Sequence, residues 1–422
     1  MNPFQVKMEN EIRGHVVLLP FPAQGHMNPL LQFGKLLTTK GIKVTLATTI
    51  FLSKSIHIKP SDVSIETISD GSDETSGSFD KGYLERFKEV GSRTLKDLIK
   101  NHESSCNPVS CLVYDSICPW VLDVAKELGL IGASFFTQST SVSSIYYHAY
   151  QGVLKAPVNQ PTICIPGLPP LNPPDMPSSL YALSHLSSLT LDLLMSQFSN
   201  FEIADYVLFN TFDKLEAEVV SWMTNQWPHI KTIGPLTPTM YLDKQIKFDK
   251  DHPINLFKPS ESPYLEWLNA KKLRETEELK LPIDFVKETS DKGLVVKWCS
   301  QMEVLAHEAI GCFVTHCGWN SVLEGLSFEV PLVAMPKMWD QPTNAKFVAD
   351  VWGVGIRTKA NDKGIVGREE LLFCIREVTE GERRKVIKRN ISTWMTSAKD
   401  ATDIAGSSYV NIENFVKRLA SI

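Results

Sequence analysis

The sequence predicts an α/β protein with two doubly wound, Rossmann-like domains, each built on a parallel sheet. Short apolar runs of strand composition alternate with segments of helical periodicity along most of the chain. A polar, proline-containing stretch, Tyr241–Ser262, separates two such series. The chain has 422 residues, which is enough for two domains of ordinary size. We therefore divide it into four segments, at residues 1–240, 241–263, 264–405 and 406–422.

The first domain is predicted to begin with a βαβ unit. The nearly all-apolar run His15–Pro20 is typical of a parallel strand buried on both faces. After a loop at Phe21–Pro29, Asn28 and Pro29 open a helix, and Lys43–Thr48 is the next strand. Further strands are predicted at Ser64–Ile68, Cys111–Tyr114, Ala133–Phe136, Tyr206–Phe209 and Ile230–Ile233. Helices are predicted at Lys81–Asn101, Trp120–Leu128 and Leu186–Phe198, and the proline-dense Gln151–Pro177 is predicted to be a surface loop.

The second series of elements predicts a second α/β unit. Its strands are predicted at Leu294–Lys297, Cys312–Thr315, Pro331–Met335 and Gly353–Arg357. Its helices are predicted at Arg368–Thr379, Arg383–Ala401 and, as a final amphipathic helix, Asn411–Leu419. Two doubly wound domains carry their sites at the carboxyl ends of their strands. We therefore expect the two sites to face each other across a cleft.

The composition excludes several classes of protein. Hydrophobic residues make up 43% of the chain and charged residues 22%, as in globular proteins, and the formal charge of −5 argues against a nucleic-acid partner. Eight cysteines in a chain of this size, without C-x-x-C spacing, predict free thiols in a reducing compartment and no metal site. The polar N-terminus is not a signal-peptide pattern, and no apolar run is long enough to span a bilayer. We expect a cytoplasmic monomer.

The stretch Trp298–Gln341 carries the most chemical information. A strand run at Cys312–Thr315 is followed by His316-Cys317-Gly318-Trp319-Asn320-Ser321 and then by a helical segment. A helix that begins at Asn320 or Ser321 directs free N–H groups and its positive dipole end above the strand. An anion, most commonly a phosphate, fits this position. Asp340 and Gln341 then supply a carboxylate and an amide, which are groups that hold sugar hydroxyls.

Two polar residues follow strand ends in the first domain. His26 lies in the loop after the first strand, where it either acts as a base, with an ordinary pKa near 6.5, or caps or packs the loop. Asp115 follows the fourth strand and either caps the next helix or orients the imidazole of His26. The residues alone leave both alternatives open.

The stretch Trp298–Gln341 strongly resembles the signature box of plant family 1 UDP-glycosyltransferases. The residues in register are Trp298, Gln301, His307, Phe313, His316, Gly318, Asn320, Ser321, Glu324, Pro331, Asp340 and Gln341. The resemblance implies the GT-B architecture, in which residues 1–240 bind the acceptor and residues 264–405 bind the UDP-sugar. Residues 241–263 are then the linker, and the helix at 406–422 packs back on the first domain.

The resemblance also assigns roles to residues. Gly25–Pro29 looks like the family's catalytic-histidine motif, with His26 as base, Asp115 as its helper and Thr137 near the donor sugar. Trp298, otherwise a core aromatic, would stack on the uracil, and Glu324, otherwise an exposed helix charge, would bind the ribose hydroxyls. The remaining donor-binding residues are Cys299, Gln301, His316, Gly318, Trp319, Asn320, Ser321, Asp340 and Gln341.

Gln341 at the end of the box favours UDP-glucose as co-substrate. The implied reaction is a single inverting displacement without cofactor, metal or covalent intermediate. The first domain resembles the plant glucosyltransferases that act on small aromatic or indolic acids, phenols or thiols. Tyr146 and Tyr147 either line the acceptor pocket or belong to the core of a helix.

The chain departs from the family pattern near residues 270–281. After Leu265–Leu268 the family has a strand–loop–helix–strand segment, whereas here Asn269–Lys272 runs into the charged Leu273–Glu278. About 30 residues, the size of a βαβ unit, are missing by this comparison. The lost strand would leave its neighbours with an unpaired edge and exposed apolar faces, which weakens donor binding. The alternative to an active glucosyltransferase is therefore a catalytically dead, small-molecule-binding or regulatory paralogue. A dinucleotide-dependent oxidoreductase is disfavoured, because no G-x-G-x-x-G follows a strand.

Overall fold

A computed structural model of the chain describes residues 12–56, 62–74, 81–181, 185–237, 293–296 and 299–421. The predicted linker at 241–263, the departure at 270–281 and Trp298 lie outside the described residues. Among the described residues, the strands are β1 His15–Leu19, β2 Lys43–Thr49, β3 Ser64–Ile68, β4 Cys111–Asp115, β5 Ile131–Phe136, β6 Tyr206–Phe209, β7 Ile230–Thr232, β8 Phe313–Thr315, β9 Leu332–Ala334 and β10 Gly355–Arg357.

The first eight described helices belong to the first domain. They are α1 Gln24–Thr38, α2 Ile50–Ser53, α3 Lys81–Asn101, α4 Trp120–Glu127, α5 Thr140–Tyr150, α6 Ser178–Tyr181, α7 His185–Ser196 and α8 Ala217–Gln226. The helices that follow are α9 Gln301–Leu305, α10 Trp319–Ser327, α11 Gln341–Lys346, α12 Arg368–Thr379, α13 Arg384–Thr402 and α14 Ser407–Leu419. A π-helical turn, Phe347–Val351, continues α11. None of the described helices is both long and apolar enough to cross a membrane.

The first domain is a parallel sheet covered by helices on both faces. Its strands lie in the order β3-β2-β1-β4-β5-β6-β7, and every neighbouring pair is parallel. Side chains alternate between faces along each strand, so Val17 and Leu19 of β1 join one hydrophobic cluster and Val16 and Leu18 join the other. The predicted doubly wound α/β class is confirmed for this domain.

The C-terminal helix α14 packs on the sheet of the first domain. Ile412, Phe415, Val416 and Leu419 lie on one face of α14 and join the cluster formed by β1 and α1. The Phe415 ring contacts Phe33, with 5.9 Å between the ring centroids. The Ser408 hydroxyl donates to the Gly234 carbonyl oxygen at 2.6 Å. The end of the chain is thereby attached to the domain in which the chain begins.

The second sheet has three parallel strands among the described residues, in the order β10-β9-β8. The prediction of a strand at Leu294–Lys297 is wrong for residues 294–296, which belong to no strand in the structure. Lys297 lies outside the described residues. Among the described residues, β8 is the outermost strand on one side of this sheet. Its residue Val314 is 36% exposed. The three strands place their carboxyl ends beside the residues of the predicted signature box.

Candidate active site

His26 and Asp115 form a hydrogen-bonded pair at the carboxyl ends of β1 and β4. The predicted loop at Phe21–Pro29 is too long, because α1 begins at Gln24, and His26 therefore lies in the first turn of that helix. Its Nδ1 lies 2.7 Å from Asp115 Oδ2. The Asp115 side chain is fully buried, whereas that of His26 is 26% exposed. The helix-capping alternative for Asp115 is wrong, because Pro119 is the N-cap of α4.

The surroundings of His26 favour its protonated form. Burial disfavours the imidazolium, but the charge and hydrogen bond of Asp115, together with the charge of Asp340, outweigh it and raise the pKa of His26. The Thr137 hydroxyl lies 3.2 Å from the same Nδ1. An ionised Asp115 carboxylate can only accept hydrogen bonds. The proton in its hydrogen bond with His26 therefore lies on Nδ1 of the imidazole. The neutral imidazole then presents Nε2 as the basic nitrogen.

The predicted strand–turn–helix is present in the second domain. Strand β8 leads through Cys317, which has a left-handed backbone with φ of 66°, into α10, whose N-cap is Gly318. A side chain at position 318 would lie 2.7 Å from Nε2 of His316, so glycine leaves room for that imidazole. Burial and the charge of Lys337 lower the pKa of His316, which keeps the ring neutral at pH 7.

Asn320 joins the first turn of α10 to the helix that carries His26. Its amide nitrogen donates to the Gly25 carbonyl oxygen at 2.8 Å. Gly25 lies four residues before Pro29, which has no N–H to complete the helical hydrogen bond to that carbonyl. Asn320 supplies the missing donor from the other domain. Its Oδ1 is buried and has no hydrogen-bond partner among the described residues, so it can accept a hydrogen bond from a ligand.

Gln301, Ser321 and Glu324 form a polar group beside α10. The Gln301 amide nitrogen donates to Ser321 Oγ at 3.1 Å and to Glu324 Oε2 at 2.6 Å. Burial raises the pKa of Glu324 to about 7, although the hydrogen bond from Gln301 opposes the shift. Glu324 therefore changes protonation state near neutral pH. Cys299, two residues before Gln301 in the sequence, is partly buried, and burial and the charge of Glu303 raise the pKa of its thiol.

Asp340 and Gln341 lie at the start of α11 and are both buried. Burial raises the pKa of Asp340 to about 6, against the hydrogen bond that Asn344 donates at 2.8 Å and the charge of His26. Asp340 and His26 influence each other electrostatically, so the negative charge of Asp340 favours the imidazolium of His26. Gln341 Oε1 accepts from the backbone N–H groups of Lys337 at 2.9 Å and Met338 at 3.1 Å. The Gln341 amide nitrogen is thus the atom left to meet a ligand.

Three predicted site residues are packing residues in the structure. Trp319 is only 3% exposed, and its indole N–H donates to the Asn210 carbonyl oxygen at 2.8 Å across the domain interface. The Trp319 side chain is therefore a packing group, whereas its backbone belongs to the first turn of α10. Tyr146 is fully buried, with its hydroxyl 3.0 Å from Ser179 Oγ. Tyr147 packs against aromatic rings, including that of Trp227 at 4.8 Å. The core alternative is favoured for both tyrosines.

Comparison with known proteins agrees with this geometry. The model of the UDP-glucoronosyl and UDP-glucosyl transferase family matches residues 276–401, and that of the glycosyltransferase N-terminal domain matches residues 14–69. Os79 from O. sativa, solved in complex with UDP, superposes with a TM-score of 0.88 at 36% identity, covering 96% of this chain and 100% of Os79. The fold and site therefore define a GT-B glycosyltransferase.

Two relatives with established names show which family of glycosyltransferases the chain belongs to. Mogroside I-E synthase of Siraitia grosvenorii is 44% identical, covering 96% of this chain and 98% of the relative. Flavonol 7-O-beta-glucosyltransferase UGT74F1 of Arabidopsis thaliana is 41% identical, covering 97% of this chain and 99% of the relative. The chain belongs to the plant family 1 UDP-glycosyltransferases and is a UDP-sugar glycosyltransferase of the UGT74 type.

Proposed function

We propose that this enzyme transfers glucose from UDP-glucose, with inversion, to a small aromatic or indolic acid, a phenol or a thiol. The observation that carries the proposal is the pair of His26 and the buried Asp115, 2.7 Å apart, electrostatically coupled to Asp340 of the other domain. A base on one side of the cleft and sugar-binding groups on the other are the parts that a direct displacement requires.

The first-domain residues activate the acceptor. With Nδ1 of His26 hydrogen bonded to Asp115, Nε2 takes the proton from the acceptor hydroxyl as the oxygen attacks C1 of the glucose. Asp115 stabilises the imidazolium that forms. A carboxylic acid acceptor is already ionised at pH 7, so His26 contributes less to its reaction.

The second-domain residues hold the donor and stabilise the leaving UDP. The first turn of α10 directs N–H groups and its dipole at the diphosphate, beside His316, Asn320 and Ser321. Glu324 accepts from the ribose hydroxyls. Asp340 and the Gln341 amide meet the glucose hydroxyls. The stacking contact with the uracil is assigned to Trp298, which lies outside the described residues.

The name of one relative supports a phenolic acceptor and the stereochemistry. UGT74F1 is named as a flavonol 7-O-beta-glucosyltransferase, so that enzyme glucosylates a phenolic hydroxyl and forms a β-linkage. Since glucose is α-linked in UDP-glucose, a β-linked product requires inversion. We extend this phenolic acceptor class to the present chain, which is 41% identical to UGT74F1. The eight cysteines all carry free thiols, which supports a cytoplasmic location, and we propose a monomer.

A non-catalytic binding protein is the second candidate, and the length of the chain favours it. The alignment with mogroside I-E synthase extends over 447 positions, more than the 422 residues of this chain. The relative therefore has residues that this chain lacks, in keeping with a deletion near residues 270–281. Among the described residues β8 is the last strand of its sheet, and Val314 on it is partly exposed, as an apolar side chain beside a lost strand would be.

The test is glucosyl transfer from UDP-glucose to a panel of phenols, aromatic acids and thiols, with the anomeric configuration of the product read by NMR. The proposal predicts a β-glucoside whose formation on phenols fails in His26→Ala. His229→Ala is a matched control, because its imidazole contacts the Phe201 carbonyl oxygen instead of the site. A folded protein that binds an acceptor but forms no glucoside would establish the second candidate.

A further inference from the structure

Asn344 is a buried amide whose hydrogen bonds join three parts of the site. It lies on α11, four residues after Asp340, and is 1% exposed. Its amide nitrogen donates to Asp340 Oδ2 at 2.8 Å and to the Cys317 carbonyl oxygen at 3.0 Å. Its Oδ1 accepts from the Ser139 hydroxyl of the first domain at 3.4 Å. Both N–H groups and the oxygen of the amide are therefore used.

These contacts fix the orientation of the amide. Asp340 and the Cys317 carbonyl accept hydrogen bonds, so both must face the nitrogen of Asn344, and the oxygen must face Ser139. Ser139 is held in turn, because its Oγ accepts the Val142 N–H at the start of α5. Cys317 precedes α10, the helix whose first turn faces the donor phosphates. The amide thus connects the phosphate-binding turn, the sugar-binding carboxylate and the acceptor domain.

We propose that Asn344 is a positioning residue for the sugar: it holds the Asp340 carboxylate in the orientation that meets the glucose hydroxyls. This inference rests on the proposed role of Asp340 in binding glucose. A carboxylate whose one oxygen is tied to Asn344 presents the other in a fixed direction, which suits a particular arrangement of hydroxyls. Asn344 thereby contributes to the choice of sugar without touching it.

The charges around Asp340 add a pH-dependent consequence. The groups that interact with it electrostatically are His26 on α1, Tyr146 on α5 and the Cys317 thiol after β8. Burial already raises the pKa of Asp340 to about 6, and the Asn344 hydrogen bond opposes this. Without the amide, Asp340 takes up its proton at higher pH. A protonated carboxyl loses acceptor capacity for sugar hydroxyls.

The test is calorimetric titration of Asn344→Leu with UDP and, separately, with UDP-glucose. Loss of a hydrogen bond to a charged group predicts about tenfold weaker binding of UDP-glucose, with UDP binding changed by less than about twofold. Raising the pH from about 6.5 to about 8.5 should recover part of the loss, since Asp340 ionises. Asn344→Ala, which removes the donor without adding a charge beside Asp340, should show the same selective loss if Asn344→Leu fails to fold.

Thr343→Val is the matched control on the same helix. Thr343 is buried and donates to the Asp175 carbonyl oxygen at 2.7 Å, so this change removes an interface hydrogen bond without reaching Asp340. It should leave the ratio of the two affinities unchanged. Equal weakening of UDP and UDP-glucose in the Asn344 variants would show a merely structural role and overturn the inference. Failure of the wild-type protein to bind UDP would instead overturn the proposed function.

Discussion

Replacing Asp115 with asparagine should lower activity and move the acid limb of the pH profile to lower pH. Asp115 is fully buried, and its Oδ2 lies 2.7 Å from His26 Nδ1. Asparagine has nearly the same shape, so the change removes the negative charge and little volume. Burial, which disfavours the imidazolium, then acts on His26 with less opposition.

The direction and size of the effect follow from the structure. In the wild-type protein the pKa of His26 is raised above 6.5, so activity on phenols should fall as the pH drops through that raised value. In Asp115→Asn the pKa should lie lower, and the acid limb moves with it. A hydrogen bond to a charged group contributes about 1.5–3 kcal/mol, so kcat/KM should fall by roughly 10–100-fold.

The assay is initial-rate glucosylation of a phenol from about pH 5 to about pH 9, with kcat/KM fitted at each pH. Thr137→Val provides a comparison, because it removes the neutral contact at 3.2 Å from the same nitrogen and leaves the carboxylate in place. Its acid limb should stay where it is in the wild type. An unchanged acid limb in Asp115→Asn would refute the assignment of His26 as the base that Asp115 supports.

Three further predictions concern binding and stability. Because burial raises the pKa of Glu324 to about 7, the affinity for UDP should fall as the pH drops below 7. Glu324→Gln should bind UDP weakly at every pH. Equal affinities of the wild-type protein for UDP at about pH 6 and about pH 8, measured by calorimetry, would contradict this. Burial lowers the pKa of His15 to about 4, below its unfolded value. The contribution of neutral His15 to the free energy of unfolding is therefore fully present above about pH 6.5 and falls by up to about 3 kcal/mol towards pH 4. Urea unfolding at several pH values measures this decrease, which His15→Gln should lack. Trp319→Phe should cost about 1–3 kcal/mol, because the buried Asn210 carbonyl loses its donor; an unchanged thermal midpoint would contradict an anchoring role.

The central strands of the first domain, such as β1, β4 and β5, were predictable because they are buried on both faces. Runs such as Cys111–Tyr114 are continuously apolar, and the parallel sheet that they form requires that pattern. The glycine turn before α10 was predictable for a different reason. Cys317 and Gly318 turn the chain tightly beside His316, and a glycine between an apolar strand run and a helical segment is the pattern of the strand–helix turn in a doubly wound fold.

Contacts between the domains could not be predicted from the local sequence. The start of α1 was placed too late because its N-cap, Ala23, offers no side-chain hydrogen bond, and Pro29 resembles a helix start although it lies inside the helix. Asn344 was missed altogether. Its partners Cys317 and Ser139 lie far away in sequence, and no local pattern distinguishes this asparagine from an ordinary helix residue.

Donor binding is tested most directly by calorimetric titration of the purified protein with UDP, with circular dichroism to establish that the protein is folded. We expect micromolar binding that is lost in Glu324→Ala, because Glu324, Ser321 and Gln301 are already assembled around α10. A folded protein that does not bind UDP would contradict it. That result would mean that the second domain does not form a working donor site.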